Sequence, residues 1–101
     1  MAKLIYSGQA LADLERLTDF LAESDPVAAA ETVGLIEEAV AVLQRHPLIG
    51  RPVEPELREL VISRGNTGYV ALYSFEEKQG AVLIHAMRHQ REAGYWDQNE
   101  D

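Results

Sequence analysis

Apolar residues in the first half of the chain recur at intervals of three and four positions, the spacing that places them on one face of an α-helix. Between Ala10 and Leu21 this stripe includes Leu14 and Leu17, and acidic residues occupy positions between them. Ser7 precedes the stripe and is a residue type that accepts hydrogen bonds from the free N–H groups at a helix start. The pattern predicts a first amphipathic helix that begins just after Ser7.

A second helix is predicted from the boundary at Asp25 and Pro26 to about Arg45. Asp25 suits the capping position, and Pro26 suits the first helical position because a backbone N–H is not needed there. The apolar stripe of this helix consists of Ala29, Val33, Ile36, Val40 and Leu43. Two helices separated by so short a break are expected to form an antiparallel hairpin.

After a proline-rich loop at residues 46–55, the pattern changes to short runs of β-branched, aliphatic and aromatic residues, which are typical of strands. These runs are Leu57–Ser63, Tyr69–Phe75 and Ala81–Arg88, with polar turns at residues 65–68 and 76–80. The last run is apolar on both faces and is therefore expected inside the sheet. Residues 2–7 form a further short strand that we expect to join this sheet.

The order of these elements predicts an α+β fold, β-α-α-β-β-β, with an N-terminal strand, an antiparallel helical hairpin and a three-stranded antiparallel meander. The 101 residues are expected to form a single domain, residues 1–101, with an acidic tail at about 96–101 that is a candidate for disorder. The chain has no cysteine and no apolar run near the ~18 residues of a membrane-spanning helix. We therefore expect a cytoplasmic protein with no membrane partner and no cofactor.

Charge changes along the chain, although the formal net charge is −8. Residues 1–56 carry four basic and ten acidic side chains, whereas residues 57–96 carry five basic and four acidic ones. Acidic chains are repelled by phosphate backbones, so direct DNA binding by this protein alone is not expected. Any cationic contact with a target must come from the second half.

Neither a metal site nor a nucleophilic serine is predicted. His85 and His89 are four positions apart, and on a strand this spacing separates them by ~13 Å, too far to share one ion. The serines lack the strand–turn–helix context of a nucleophile elbow.

Four local motifs, in the same order along the chain, resemble those of the RelE/ParE superfamily, the toxins of type II toxin–antitoxin modules. The motifs are Ser7-x-x-Ala10-x-x-Asp13-Leu14, Leu43-x-x-His46-Pro47-x-Ile49-Gly50-Arg51-Pro52, Gly68-Tyr69-Val70-Ala71-Leu72-Tyr73 and Arg88-His89-Gln90-Arg91-Glu92-Ala93-Gly94-Tyr95. The resemblance covers roughly residues 3–95. It implies a cognate antitoxin as partner and one of two activities, either cleavage of messenger RNA on the ribosome or inhibition of DNA gyrase.

Phosphodiester cleavage needs a base, an acid and cations for the developing phosphate charge. Residues 57–64 contain two arginines but no lysine, and Val70 stands where the ribosome-dependent branch of the family carries an arginine. If the protein were a nuclease, its candidate residues would be Arg58, Arg64, His89, Arg91 and Tyr95. This set is thin, so the leading interpretation is a ParE-like toxin of a plasmid-stabilisation-type module that inhibits DNA gyrase by protein–protein contact and is not an enzyme. The alternatives are a RelE-like ribosome-dependent endoribonuclease, with ribosome and mRNA as partners, and a non-toxic relic that only binds its antitoxin.

The residues expected to contact the target are Arg58, Arg64, Arg88, Arg91 and Tyr95. Arg58 and Arg64 share strand parity with Leu60 and Ile62, so they flank an apolar row. The alternative is that these side chains are ordinary surface charges, paired for example with Glu59, and that Tyr95 packs against the fold.

The second helix is more apolar than one buried stripe requires, because Leu35, Ala39 and Val42 form a second flank. An antitoxin segment would bury such a surplus, and the residues expected to contact it are Val33, Ile36, Val40 and Leu43. The alternative is that the first helix covers this flank. Given the net charge, hydrophobic burial with a few local ion pairs is expected to contribute most to that affinity.

Overall fold

The computed structural model describes residues 1–64, 67–92 and 94–95, and the elements of this part of the chain follow the predicted order. The elements are β1 (Lys3–Tyr6), α1 (Gly8–Ala22), α2 (Pro26–Ala41), β2 (Arg51–Glu54), β3 (Leu57–Arg64), β4 (Thr67–Glu76) and β5 (Ala81–His89). A 3-10 turn follows α2 at Val42–Gln44, and another follows β4 at Glu77–Gln79. The predicted α+β fold is confirmed. Within the described residues, neither helix has the length and hydropathy needed to span a membrane.

The strands form one sheet in the order β1-β5-β4-β3-β2. β3, β4 and β5 make the predicted antiparallel meander, and β1 joins it parallel to β5, with Leu4 opposite Val82. β5 thus lies between two strands, as its apolar pattern predicted.

One element was not predicted. Residues 51–54, which were expected in the proline-rich loop, form the edge strand β2, with Arg51 opposite Glu59 and Pro52 opposite Arg58. Proline is tolerated there because an edge strand donates hydrogen bonds on one side only. Three expectations concern positions outside the described residues: part of the turn at residues 65–66, position 93 of the last motif and the tail at 96–101.

The caps predicted from the sequence are confirmed. Ser7 Oγ accepts a hydrogen bond from the N–H of Ala10 at 3.0 Å, and Asp25 Oδ1 accepts one from the N–H of Ala28 at 3.0 Å. Both bonds satisfy N–H groups that the helix itself leaves free.

The first motif attaches α1 to β5. Ser7 Oγ donates to the carbonyl of His85 at 2.9 Å, and the N–H of Met87 donates to Asp13 Oδ2 at 2.9 Å. β5 has one extra residue at this point, because Leu72 pairs with Ala86 and the next residue of β4 pairs with Ile84. The carboxylate of Asp13, only 1% exposed, therefore accepts a hydrogen bond from a buried backbone group beside a β-bulge.

The second motif forms a loop held by Tyr73 and Arg58. The hydroxyl of Tyr73 donates to the carbonyl of Pro47 at 2.8 Å and accepts from the N–H of Gly50 at 2.8 Å. Arg58 Nη1 donates to the carbonyls of Leu48 and Gly50 at 3.0 and 2.8 Å. A side chain cannot fit at position 50, because a Cβ there would lie 2.6 Å from the ring of Tyr73.

Candidate functional site

The face of the sheet opposite the helices, here called the helix-free face, carries a group of charged and polar side chains. Glu59 lies in the middle of β3, opposite Arg51 of β2 and Leu72 of β4. Arg88 lies near the end of β5, between Met87 and His89 in the chain, and alternation places it on the face away from the core residue Met87. Together with Tyr95 these residues are called the Glu59 cluster: Arg51, Glu59, Arg88 and Tyr95.

Glu59 is at the centre of the cluster, and both of its carboxylate oxygens accept hydrogen bonds. Arg51 donates to Oε1 through Nε at 3.1 Å and Nη2 at 2.8 Å. Tyr95 Oη donates to Oε2 at 2.6 Å. Glu59 is 8% exposed, whereas the side chain of Arg51 is 62% exposed. The carboxylate is thus enclosed by its partners, and one side of the cluster is open to solvent through Arg51.

Arg88 holds the segment that follows β5. Its guanidinium lies over the ring of Tyr95, 5.1 Å from the ring centroid, a distance at which the cation and the π face attract each other. Its Nη1 atom donates to the carbonyls of His89, Gln90 and Glu92 at 3.2–3.3 Å. The charge of Arg88 therefore stabilises a turn of the chain and an aromatic ring.

The cluster shifts the pKa values of its two acidic groups in opposite directions. Burial, the largest single influence, acts to raise the pKa of Glu59, whereas the hydrogen bonds from Tyr95 and Arg51 act to lower it. With the added positive charges of Arg51 and Arg88, the pKa of Glu59 lies below its ordinary value. Burial, followed by the hydrogen bond to Glu59 and its negative charge, raises the pKa of Tyr95 far above its ordinary value. At neutral pH the cluster therefore holds a carboxylate and a protonated phenol.

Among the predicted target-contact residues whose side chains the structure describes, Arg88 and Tyr95 lie together. Arg58 lies on the helix side and bonds to the loop carbonyls described above, and it is not part of the Glu59 cluster. The backbone of Arg64 ends β3, and its side chain lies outside the described residues. Val70 is opposite Arg88 in the β4–β5 register and is 2% exposed.

His89 and Arg91 belong to the other side of the sheet. The His89 ring packs edge to face against Tyr69, with ring centroids 5.3 Å apart. Arg91 is exposed, and its N–H donates to His89 Nδ1 at 3.0 Å. Both residues line an open groove beside α1 and are therefore separated from the Glu59 cluster by the sheet.

The structure corrects the predicted antitoxin surface on α2. Ile36, Val40 and Leu43 have no exposed surface, because this stripe faces the protein's own sheet. A partner cannot reach these three residues while the helices remain packed. Val33 is half-buried, and it alone of the four keeps some exposed surface.

His85, the other histidine on β5, bonds within the sheet. His85 Nε2 is 2.7 Å from Ser74 Oγ, a hydrogen bond within the sheet. In the described part of the chain, no three acidic or histidine side chains lie close enough to hold a metal ion.

Two members of the cluster, Arg51 and Glu59, were not among the predicted site residues. Arg51 lies in the strand that the sequence did not predict. Glu59 lies between Arg58 and Leu60 in β3, and alternation places its carboxylate on the face opposite theirs, so an acid in the middle of a strand was the available signal. That it would meet Tyr95, 36 positions away in the chain, could not be read from that signal.

Comparison with known proteins agrees with this architecture. The structure is similar to a chain from the solved "Chromosomal ParDE TA system from P. aeruginosa", with a TM-score of 0.72 and 26% identity, and the match covers 88% of this chain and 96% of that one. Residues 4–94 match the family model described as "ParE toxin of type II toxin-antitoxin system, parDE". The chain therefore belongs to the ParE toxin family of type II toxin–antitoxin systems.

Curated relatives come from Caulobacter vibrioides. The chain is 40% identical over 70 residues to Toxin RelE1, and this match covers 69% of this chain and 75% of the relative. It is 33% identical over 89 residues to Toxin RelE2, and this match covers 88% of this chain and 96% of the relative. The matching family carries the ParE name and these relatives carry the RelE name, so both branches of the superfamily are represented. Membership of the toxin family implies a cognate antitoxin as partner.

Proposed function

We propose that this protein is a ParE-like toxin that inhibits DNA gyrase by protein–protein contact and does not cleave RNA. The observation that supports this proposal is the hydrogen bond between Tyr95 and Glu59, because it joins the two groups on the helix-free face that are best suited to act as acid and base. A base for RNA cleavage must accept a proton from the substrate, and both oxygens of Glu59 already have donors.

The cations of the cluster are engaged in the same way. Three backbone carbonyls accept hydrogen bonds from Arg88, and Glu59 accepts two from Arg51. A nuclease needs such donors directed at the phosphate, where charge develops in the transition state. An arrangement in which the donors bind the protein's own groups is better suited to shaping a contact surface than to phosphoryl chemistry.

The family description and the solved ParDE system favour the ParE branch, whereas the RelE names of the curated relatives favour a ribosome-dependent endoribonuclease. One fold serves both activities, so the fold itself does not choose between them. We propose the helix-free face around Arg51, Arg88 and Tyr95 as the surface that contacts the target, and a cytoplasmic location where gyrase is found. The same proposal includes that the toxin–antitoxin module is of the plasmid-stabilisation type.

The proposal is tested with purified toxin in two parallel assays. In the first, gyrase, supercoiled plasmid and ATP are incubated with the toxin, and we expect linear DNA from stabilised cleavage complexes. In the second, programmed ribosomes are incubated with the toxin, and we expect intact transcripts. Cleaved transcripts with unaffected gyrase would establish the nuclease alternative. Normal growth on expression without antitoxin, with both assays negative, would identify a relic that retains only antitoxin binding.

A matched pair of variants links the result to the cluster. Arg51→Ala removes an exposed cation from the helix-free face, and Lys78→Ala removes one from the exposed 3-10 turn after β4. We expect Arg51→Ala to reduce gyrase inhibition and Lys78→Ala to leave it unchanged. Equal gyrase inhibition by both variants would show that the Glu59 cluster is not part of the surface that contacts the target.

A further inference from the structure

The Glu59 cluster has the composition of an oxyanion-binding site, except that its anion is part of the chain. The guanidinium groups of Arg51 and Arg88 and the hydroxyl of Tyr95 accompany one carboxylate. Such groups also bind phosphate in proteins, because the guanidinium fork fits the oxygens of a carboxylate and of a phosphate alike and a tyrosine hydroxyl donates to either. The cluster would therefore suit a phosphate group if the carboxylate of Glu59 were absent.

Three donor atoms converge on the two oxygens of Glu59. Arg51 Nε and Nη2 lie 3.1 and 2.8 Å from Oε1, and Tyr95 Oη lies 2.6 Å from Oε2. Removal of the carboxylate would leave these three donors directed at one small volume. Donors held in advance around such a volume are what an oxyanion requires.

Arg88 carries a donor that the carboxylate does not satisfy. Its Nη1 atom donates to three backbone carbonyls, whereas its Nε atom is buried and has no hydrogen-bond acceptor among the described residues. A buried N–H without an acceptor costs free energy, so such a group calls for a physical explanation. Both oxygens of Glu59 already have donors, and a phosphate group would offer further acceptor oxygens.

Covalent attachment gives Glu59 an advantage over any anion in solution. A group tethered at its site acts at an effective concentration in the millimolar range, and it does not have to be gathered from solution. Glu59 is 8% exposed, so an incoming phosphate could reach the three donors only by displacing it. Two negative groups held this close would also repel each other. A phosphodiester therefore cannot use these donors while Glu59 is in place.

We infer that Glu59 is a specificity-determining residue, whose carboxylate occupies a phosphate-binding position on the helix-free face and so excludes nucleic acid from that surface. The inference rests on the proposed function, because it assigns to Glu59 the choice between a protein target and an RNA. It goes beyond that function in stating that the vacated position binds inorganic phosphate and the phosphodiester of an oligonucleotide.

The first test compares Glu59→Ala, which vacates the position, with Glu59→Gln, which fills it with an uncharged side chain of similar size. Tm is measured in inorganic phosphate and in sodium chloride of equal ionic strength, because a ligand that binds only the folded protein raises Tm. We expect phosphate to raise the Tm of Glu59→Ala by about 4 °C or more beyond its effect on the wild type, as for a ligand at several times its Kd. Glu59→Gln should respond as the wild type does.

The second test measures the exclusion of nucleic acid directly, by fluorescence anisotropy of a fluorescein-labelled RNA oligonucleotide. We expect Kd to fall by about tenfold or more in Glu59→Ala, since charged donors become available to a phosphate. Glu77→Ala is the matched control, because it removes an exposed carboxylate from the 3-10 turn after β4 and changes the net charge equally. Its Kd should stay within about twofold of the wild-type value, as for a screened surface charge.

A double variant, Arg51→Ala with Glu59→Ala, lacks two of the three donors and should lose the response to phosphate and to the oligonucleotide. If Glu59→Ala is unfolded in chloride, circular dichroism follows its refolding on addition of phosphate. We then expect phosphate to restore the wild-type spectrum in Glu59→Ala and not in the double variant.

Absence of a phosphate response in Glu59→Ala, or an equal response in the double variant, would overturn the inference and leave the gyrase result untouched. Oligonucleotide binding by the wild type as tight as that of Glu59→Ala would also overturn it. A wild type that does not inhibit gyrase, with the phosphate response of Glu59→Ala intact, would instead reject the proposed function and retain Glu59 as the group that excludes phosphate.

Discussion

Tyr95 Oη donates a 2.6 Å hydrogen bond to Glu59 Oε2 and so joins the segment after β5 to the middle of β3. Arg88 also holds this segment, through the Tyr95 ring and three backbone carbonyls. The last part of the described chain is thereby fixed to the helix-free face. The shape of that face depends on this attachment.

Tyr95→Phe removes the hydrogen bond and keeps the ring under Arg88. We expect the free energy of unfolding to fall by about 1.5 kcal/mol, since a hydrogen bond to a charged group is lost and a buried carboxylate oxygen loses its donor. Urea denaturation measures this change. Tyr6→Phe serves as the control, because the Tyr6 hydroxyl forms no hydrogen bond with the described residues, and an equal loss in both variants would contradict the role given to Tyr95.

Stability is expected to depend on the ionisation of Glu59 in acid. The folded state lowers the pKa of this carboxyl, so the folded protein binds its proton more weakly than the unfolded chain does. The stabilisation is therefore complete above the ordinary glutamate pKa of about 4.3 and is lost as the pH falls through the lower folded-state value. Urea unfolding of the wild type and of Glu59→Gln between pH 3 and pH 7 measures this, and the variant should lose less stability over that range. Parallel curves would exclude Glu59 as a source of acid sensitivity.

Gly50→Ala is expected to destabilise the protein by about 1–3 kcal/mol, because a Cβ would lie 2.6 Å from Tyr73 and 2.8 Å from the backbone oxygen of Glu59. Gly34→Ala is the matched control in the exposed part of α2, where nothing lies within 4 Å of the added atom. It should stabilise the protein by about 1 kcal/mol, since alanine favours helix more than glycine does. Thermal unfolding of the pair should move Tm in opposite directions, and a shift of the same sign in both would refute this interpretation of the loop.

Asp13→Ala leaves the buried N–H of Met87 without its acceptor, so we expect a loss of about 2 kcal/mol in the free energy of unfolding. Asp19→Ala changes an exposed carboxylate in the same helix and is expected to stay within about 0.5 kcal/mol of the wild type. Chemical denaturation measures both values. Similar results for the two variants would show that Asp13 does not attach α1 to β5.

The helices, their caps and the meander could be predicted because each depends on residues close together in the chain. Ser7 caps α1 through an N–H three positions away, and Asp25 caps α2 in the same way. The alternation in β3, β4 and β5 is a property of each strand's own residues. For these features the sequence alone determined the outcome.

Tertiary structure decided which apolar stripe is buried and which polar groups meet. Ile36 and Val40 were candidates for a partner surface until the sheet was seen to cover them, because periodicity identifies a face without identifying what packs on it. β2 forms only because β3 offers it an edge, and Arg51 and Tyr95 converge on Glu59 from positions 8 and 36 residues away. Contacts between distant segments depend on how the elements pack, which local propensity does not encode.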